Sequence, residues 1–464
     1  MKATAKEFLQ DSSRLTADLR HRGLIQTALG KYEVKRDEQK AKFQDWEAAR
    51  VLAGGRKREA VGHLDHYLEQ FADNLERRGT KVHWASTAAQ AREIVVEIAR
   101  ARGAKSVVKS KAMTAEEIHL NEALEGAGLE VVESDLGEFI VQLRKEPPYH
   151  IVFPAMHLTR GEIRDVFQRE LGDAPSDSPE DLTMVARRVL RQKYVEADLG
   201  ITGANFAVAE TGMVAVTENE GNARLTGALP RTMVTLVGIE KVVPRMADLA
   251  LLWPMLATAG AGQLITGYNT LYGGPGREDE PGGPEEYHVV LLDNGRTALL
   301  ADPEQRDALQ CIRCGACLNV CPIYRNVGGH TYGTTYCGPV GSVITPHLRG
   351  LQDWKHLSYA SSLCGACTET CPVGIDLHHH LLQNRRNSVK EKPRWWERVA
   401  FKLFARVAGS AGMWKWVTRF GRLGGRVHAL VKGSRLDPAY AWTKTRDLPP
   451  PADQSFKEWW RTRK

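Results

Sequence analysis

All eight cysteines of this 464-residue chain fall between positions 311 and 371. The first run reads Cys311-Ile-Arg-Cys314-Gly-Ala-Cys317-Leu-Asn-Val-Cys321-Pro322, and the second Cys364-Gly-Ala-Cys367-Thr-Glu-Thr-Cys371-Pro372. Cys337 lies between them. Cysteines three apart on a tight turn or a helical start converge on one small object, and thiolates are the ligands that soft metal centres take. A cubane 4Fe–4S cluster takes four, so eight thiols match two such clusters.

In a two-cluster ferredoxin pattern the fourth cysteine of a run, just before proline, serves the other cluster. Applied here, Cys311, Cys314 and Cys317 hold cluster one, and Cys371 completes it from the second run. Cys321 crosses over to join Cys364 and Cys367 on cluster two. Aligning the runs on Cys-Gly-Ala-Cys puts Ser361 where Cys311 would be, so one corner of cluster two is missing. Cys337 is the thiol left to fill it; a serine ligand or a three-iron cluster are the alternatives. Two zinc sites also use paired Cys-x-x-Cys, but zinc has no need of a three-cysteine run followed by Cys-Pro. Disulfides fit poorly with thiols packed this closely in a chain without a secretory opening.

A second constellation is weaker. Ser110 and Lys111 follow a predicted strand, where open α/β sheets place ligands. Glu210-Thr211-Gly212 marks a turn that could face them, and a lysine there would attract a carboxylate. The plain alternative makes Lys111 a solvated loop charge and Glu210 a turn or interface residue. The glycines at Gly273–Gly276 lack the strand-then-helix context of a dinucleotide fingerprint, so neither flavin nor nicotinamide is expected.

Alternating helices and short β-branched runs position these groups. Residues 1–58 read as a charged helical arm packing through Leu15, Leu19, Leu24 and Ile25, with Gly54-Gly55 as its joint to the next domain. Residues 59–300 alternate: helices over His63–Arg78, Thr87–Arg102, Thr114–Gly126, Thr159–Leu171 and Met246–Ala259, and strands over Lys81–Ala85, Ser106–Ser110, Leu129–Ser134 and His150–Pro154. Thr114 and Glu117 have capping-box spacing. The pattern predicts an α/β domain with helices laid over a mostly parallel sheet. Residues 301–388 form the cysteine domain, entered through a linker helical from Pro303. Its 322–363 insertion lacks periodicity and reads as a loop that wraps a cluster and delivers Cys337. His378-His379-His380 reads as a surface or interface feature rather than a metal site.

Residues 389–464 are a basic region. From Glu391 to Lys464 there are 17 Lys or Arg against 6 Asp or Glu, a net of +11 where the whole chain is +7. It also holds seven of the eleven tryptophans. Trp with Lys and Arg suits a protein docking face, where Trp and Arg are enriched, or an interfacial helix giving peripheral membrane contact. Docking is the expectation. No nucleic-acid motif accompanies the charge. No run of 18 apolar residues provides a transmembrane helix, and the N-terminus lacks the apolar segment of a signal peptide, so the expected location is cytoplasmic.

Three stretches carry a family resemblance: Val107-Val-Lys-Ser-Lys-Ala-Met, Asp198-Leu-Gly-Ile-Thr-Gly-Ala-Asn-Phe-Ala-Val-Ala-Glu-Thr-Gly, and Thr217-Glu-Asn-Glu-Gly-Asn. They resemble the lactate-utilisation (LUD) domain. With the cysteine runs beyond, the chain resembles the lactate utilisation protein B family, the iron–sulfur component of a three-part L-lactate oxidation system. The resemblance implies a fold like that of the sugar-phosphate isomerase/CoA-transferase group, then an α-helical ferredoxin module. It implies two 4Fe–4S clusters that carry electrons from lactate oxidation, and partner subunits that the tail would contact. Two functions stay open: a non-catalytic electron-transfer subunit, or an enzyme whose LUD domain acts on a small carboxylate or acyl substrate. A relay for another 2-hydroxy acid or a disulfide oxidoreductase is a third.

Overall fold

The computed structural model describes residues 4–463 apart from 174, 278, 280–281, 433, 435, 438, 444–445, 447–451 and 453. It divides into two compact units, Met1–Ser388 and Val389–Lys464.

Among the described residues the first unit has ten strands: β1 Lys81–Ala85, β2 Ser106–Lys109, β3 Glu130–Glu133, β4 Leu199–Gly203, β5 Phe206–Val208, β6 Met213–Glu218, β7 Thr232–Gly238, β8 Val242–Val243, β9 Tyr268–Tyr272 and β10 Glu286–Leu292. Six form a sheet in the order β1-β10-β7-β4-β2-β3, parallel at every pairing. Its central strand β7 is buried along its whole length because both faces of the sheet are covered there. Val234, Leu236, Val290 and Leu292 pack on one face with the helix Ala88–Ala101. Met233, Val237, Val289 and Leu291 pack on the other with the helix Leu64–Glu76. A separate, smaller mixed sheet has the order β8-β5-β6-β9.

Several predicted elements form where the pattern places them. Thr87 caps Ala88–Ala101 by accepting from Gln90 N–H, and Thr159 with Glu162 makes a reciprocal capping box for Arg160–Leu171. Others do not. Thr114–Gly126 breaks into Met113–Glu117 and Leu120–Gly126 around His119, whose φ is 53°. Thr114 caps nothing; Glu117 instead binds Arg296 deep in the protein. His150–Pro154 is a turn: the His150 ring accepts hydrogen bonds from Val152 N–H and Phe153 N–H, where a strand would need a neighbour. The helix Pro179–Glu196, capped by Ser178, was not expected.

The N-terminal helices Ala5–Ala17, Leu19–Lys40 and Trp46–Gly62 are capped by Thr4, Asp18 and Asp45. Phe8, Ile25, Leu29 and Ala53 are buried in one core with five of the cysteines and with Leu249, Leu252 and Met255. Of the residues expected to pack, Ile25 is buried, Leu15 and Leu24 half-buried, and Leu19 exposed. Gly54-Gly55 is no joint. It lies inside a continuous helix, and a Cβ on Gly54 would stand 2.6 Å from the Val373 carbonyl oxygen. The 322–363 insertion is not a loop either. It holds the helices Gly338–Arg349 and Leu351–Tyr359. Gly338 to Pro346 are all buried, and a helix covered on all sides shows no amphipathic stripe in its sequence.

In the second unit, Trp395–Ala408 and Ala411–Val431 are the long helices. No residue of Trp395–Ala408 is buried. Trp395, Phe401, Leu403, Phe404, Trp414, Trp416 and Phe420 are exposed large side chains. Among the described residues no helix is long and apolar enough to cross a membrane.

Candidate iron–sulfur centre and adjoining cavity

The two cysteine runs are copies of one local structure. Arg313 and Leu363 hold φ values of 59° and 55°, a region that costs a residue with a side chain about 1–2 kcal/mol. Gly315 and Gly365 follow at 78° and 84°. Each run then makes a single helical turn, Ala316–Asn319 and Ala366–Glu369. The match extends to the first ligand position: Arg313 N–H donates to Cys311 Sγ at 3.4 Å, and Leu363 N–H donates to Ser361 Oγ at 3.2 Å. Ser361 therefore occupies in the second run the place that Cys311 occupies in the first.

The runs interleave. Burial first, then the neighbouring Cys371 and Cys311, raise the Cys314 thiol. Burial, then Cys311, Cys314 and to a lesser degree Cys367, raise Cys317. In the other group Cys321 is raised by burial and by Cys364, and Cys367 is pushed up to about 12 by burial, Cys321 and Cys364. Cys337, 3% exposed, is pushed up to about 12 chiefly by burial; Cys321 adds to the rise and a hydrogen bond with Tyr324 opposes it. Buried mutual neighbours of this kind stay thiols unless a cation takes their protons' place. Backbone donors are in place for the thiolate form: Tyr324 N–H on Cys321 Sγ at 3.5 Å, Ile375 N–H on Cys371 Sγ at 3.4 Å, and Val340 N–H on Cys317. Cys337 is itself the N-cap of Gly338–Arg349, an end whose dipole favours a thiolate.

The N-terminal arm clamps the second run. Arg50 Nε donates to the Cys371 carbonyl and Nη2 to the Thr368 carbonyl, both at 2.7 Å, and Arg36 Nη1 reaches Thr370 Oγ1 at 3.2 Å. The first run is tied to the sheet by a buried ionic chain. Arg296 binds Glu117 through two hydrogen bonds of 2.9 and 2.7 Å and also binds Glu240, which takes Arg313 Nη2 at 3.1 Å. Tyr336, beside Cys337, donates to Glu117 at 2.7 Å.

A cavity of about 440 Å³ opens beyond the C-terminal ends of β2, β4 and β7, between the sheet and the first cysteine run. Ser110, Lys111, Lys241, Arg313 and Cys314 all line it. Ser110 and Lys111 are thus where their strand predicts. Lys111 is already paired with Asp135 at 3.2 Å and with the Val152 carbonyl at 3.1 Å. Glu210 and Thr211 are not brought to them: Glu210 accepts from Met246 N–H, and the Thr211 carbonyl accepts from Arg78 Nε. Sequence reasoning missed Lys241. The signal was a charge in Ile239-Glu240-Lys241-Val242-Val243, directly after a buried strand. Burial holds Lys241 down at about 8, with Glu240 pulling the other way.

Among the described residues two further groups could hold a metal ion: Glu146 with His157 and His330, and Asp376 with His378 and His379. His380 is buried apart from the second group and meets Asp307 at 2.7 Å.

The LUD domain family matches residues 68–292, the 4Fe-4S dicluster domain family 307–375, and the family described as lactate utilisation protein B, C-terminal, 379–464. The chain is 42% identical over 470 residues to lactate utilization protein B of Bacillus thuringiensis (strain Al Hakam), covering 100% of this chain and 98% of the relative. The same figures hold for the proteins of that name from Bacillus cereus (strain B4264) and Bacillus anthracis (strain A0248). The chain belongs to the lactate utilisation protein B family. Its parallel sheet is the LUD domain, and its cysteine runs lie in a ferredoxin-type iron–sulfur domain. A crystal structure of a DUF162 family protein from Deinococcus radiodurans aligns over 49% of this chain and 98% of that one, at 15% identity and a TM-score of 0.25, too low to bear on the fold.

Proposed function

We propose that this chain is the electron-carrying component of a lactate-oxidising assembly and holds two 4Fe–4S clusters. Cys311, Cys314, Cys317 and Cys371 would hold the first; Cys321, Cys364, Cys367 and Cys337 the second. The crossed neighbourhood of the two runs carries this reading: Cys371 acts electrostatically on Cys314, and Cys364 on Cys321. Clusters bound there supply single-electron transfer. The chain's own part is to exclude water and set the charge around the sulfurs. Backbone N–H donors on Cys311, Cys317, Cys321 and Cys371 stabilise added negative charge. Arg313, fixed by Glu240 and lying 4.5 Å over the Tyr336 ring, adds a positive charge beside Cys311. The lactate assignment rests on the relatives' name, "Lactate utilization protein B". The exposed Trp and Phe side chains of the basic tail would dock the other subunits of the assembly.

The test is the iron and acid-labile sulfide content of anaerobically purified protein, with EPR after reduction. About eight of each per chain is expected for two cubanes. An iron-free, zinc-replete protein would end the proposal.

A further inference from the structure

We propose that the cavity between the parallel sheet and the first cysteine run binds a small hydroxy- or oxo-carboxylate, with Lys241 as its anion-binding group. Lys241 is 7% exposed and lines the cavity, yet no hydrogen bond or ion pair engages its ammonium among the described residues. A buried ammonium without a partner is costly, and such groups are otherwise paired. Cys311 acts electrostatically on Lys241, but no hydrogen bond or ion pair joins the two among the described residues, and the neighbouring carboxylates are engaged by other groups. Glu240 is taken by Arg296 and Arg313. Glu218 accepts from Ala223 N–H and Arg224 N–H, Glu220 from Leu136 N–H, and Asp135 pairs with Lys111. Arg313, on the same wall, keeps a buried Nη1 with no partner. Among the described residues the Lys241 ammonium and Arg313 Nη1 are therefore donors on this wall without acceptors, and the missing partner is a ligand oxygen that accepts from them.

The rest of the wall narrows the class. Ser110 and Asn222, 2% and 6% exposed, present a hydroxyl and an amide that no hydrogen bond engages among the described residues. Such groups recognise a hydroxyl or carbonyl oxygen. A volume of about 440 Å³ lies within the ordinary range for small-molecule sites, and the C-terminal edge of a parallel sheet is where they form. A ligand there lies against Cys314; that this places it beside an electron carrier rests on the function proposed above.

The test is calorimetric titration of the full, anaerobically purified chain with pyruvate, against Lys241→Met, with acetate and phosphate as comparison anions. We expect one pyruvate per chain, weakened about tenfold or more in Lys241→Met. Acetate and phosphate should bind more weakly than pyruvate. Lys241→Met should melt no lower than the parent, because it removes an unpaired buried charge. Absence of pyruvate binding, equal binding by the variant, or phosphate binding as tightly as pyruvate would each overturn the proposal. So would a variant that melts well below the parent, since Lys241 would then be a structural group. Iron and sulfide are counted on the same preparation, so failure here and failure of the electron-carrying reading are separate results.

Discussion

Replacing Arg296 with methionine should damage this protein more than almost any other single change outside the cysteines. Arg296 is 1% exposed and holds two carboxylates, Glu117 and Glu240, that are themselves 4% and 1% exposed. Burial acts to raise the pKa of both acids, and Arg296 is the main reason they are held below the usual carboxylate range. Removing one partner of a buried pair leaves the other uncompensated and costs about 3–5 kcal/mol. Tyr336 and Asn294 remain on Glu117, and Arg313 on Glu240, so the lower end is the better guide. At about 2.1 cal/mol/K per residue, the 388-residue unit has an unfolding entropy of about 0.8 kcal/mol/K. The melting temperature should then fall by about 4–6 °C. Calorimetric melting of anaerobic protein gives the number. Adding Glu117→Gln to Arg296→Met should recover part of the loss, because the stranded charge goes with it. A single variant melting within about 1 °C of the parent would refute the argument, and would mean that water or rearrangement satisfies both acids.

Three further outcomes are expected. Cys337→Ala should leave about four iron atoms of eight and one EPR signal, whereas Ser361→Ala should keep both; the reverse pattern makes Ser361 the ligand. Removing residues 392–464, past the end of the helix Leu377–Glu391, should leave iron content unchanged and abolish retention by partner subunits in a pull-down. Loss of iron would show the tail to be structural, and salt-sensitive binding of the full chain to anionic liposomes would favour membrane contact. His150 should make the first unit acid-sensitive. Burial holds its pKa at about 3, so the folded state binds fewer protons than the unfolded state between about pH 3 and 6.5. Its contribution is complete above pH 6.5 and is lost as pH falls, by about 1.4 kcal/mol between pH 7.5 and 5.5. Denaturant titrations at those two pH values should show that difference, and His150→Gln should reduce it.

How much of this was legible depended on whether a residue's partner lay nearby in sequence. Cysteine spacing is local, so the two runs and the Ser361 gap could be read directly. Strands β1 to β3 were legible because short β-branched runs between amphipathic helices have few other uses. The arm's charges defeated the same approach. Arg36 and Arg50 look like their solvated neighbours, and only the fold brings the carbonyls of Thr368 and Cys371 to Arg50. Glu117 had the spacing to cap a helix, but Arg296 lies 179 residues away and offers two strong hydrogen bonds at once. Gly54 was taken for a break because glycine usually breaks helices; here its missing side chain lets the arm meet Val373.

Those misreadings concern one thing: how the cysteine runs are held. Sequence alone suggested an arm, a sheet domain and a cysteine module in series. In the structure the arm's Ile25, Leu29 and Ala53, the LUD helix Leu249–Ala261 and the buried cysteines share one core. The second run is gripped by Arg36 and Arg50, and the first by the Arg296–Glu240–Arg313 chain. The first run could therefore not move relative to the sheet, nor the second relative to the arm, without breaking charge-assisted hydrogen bonds, each worth about 1.5–3 kcal/mol. Rigidity of that kind fixes the distance between Cys314 and whatever the adjoining cavity holds. Arg50→Ala, which releases one grip without touching a ligand, should accordingly loosen Cys371 before it affects Cys311.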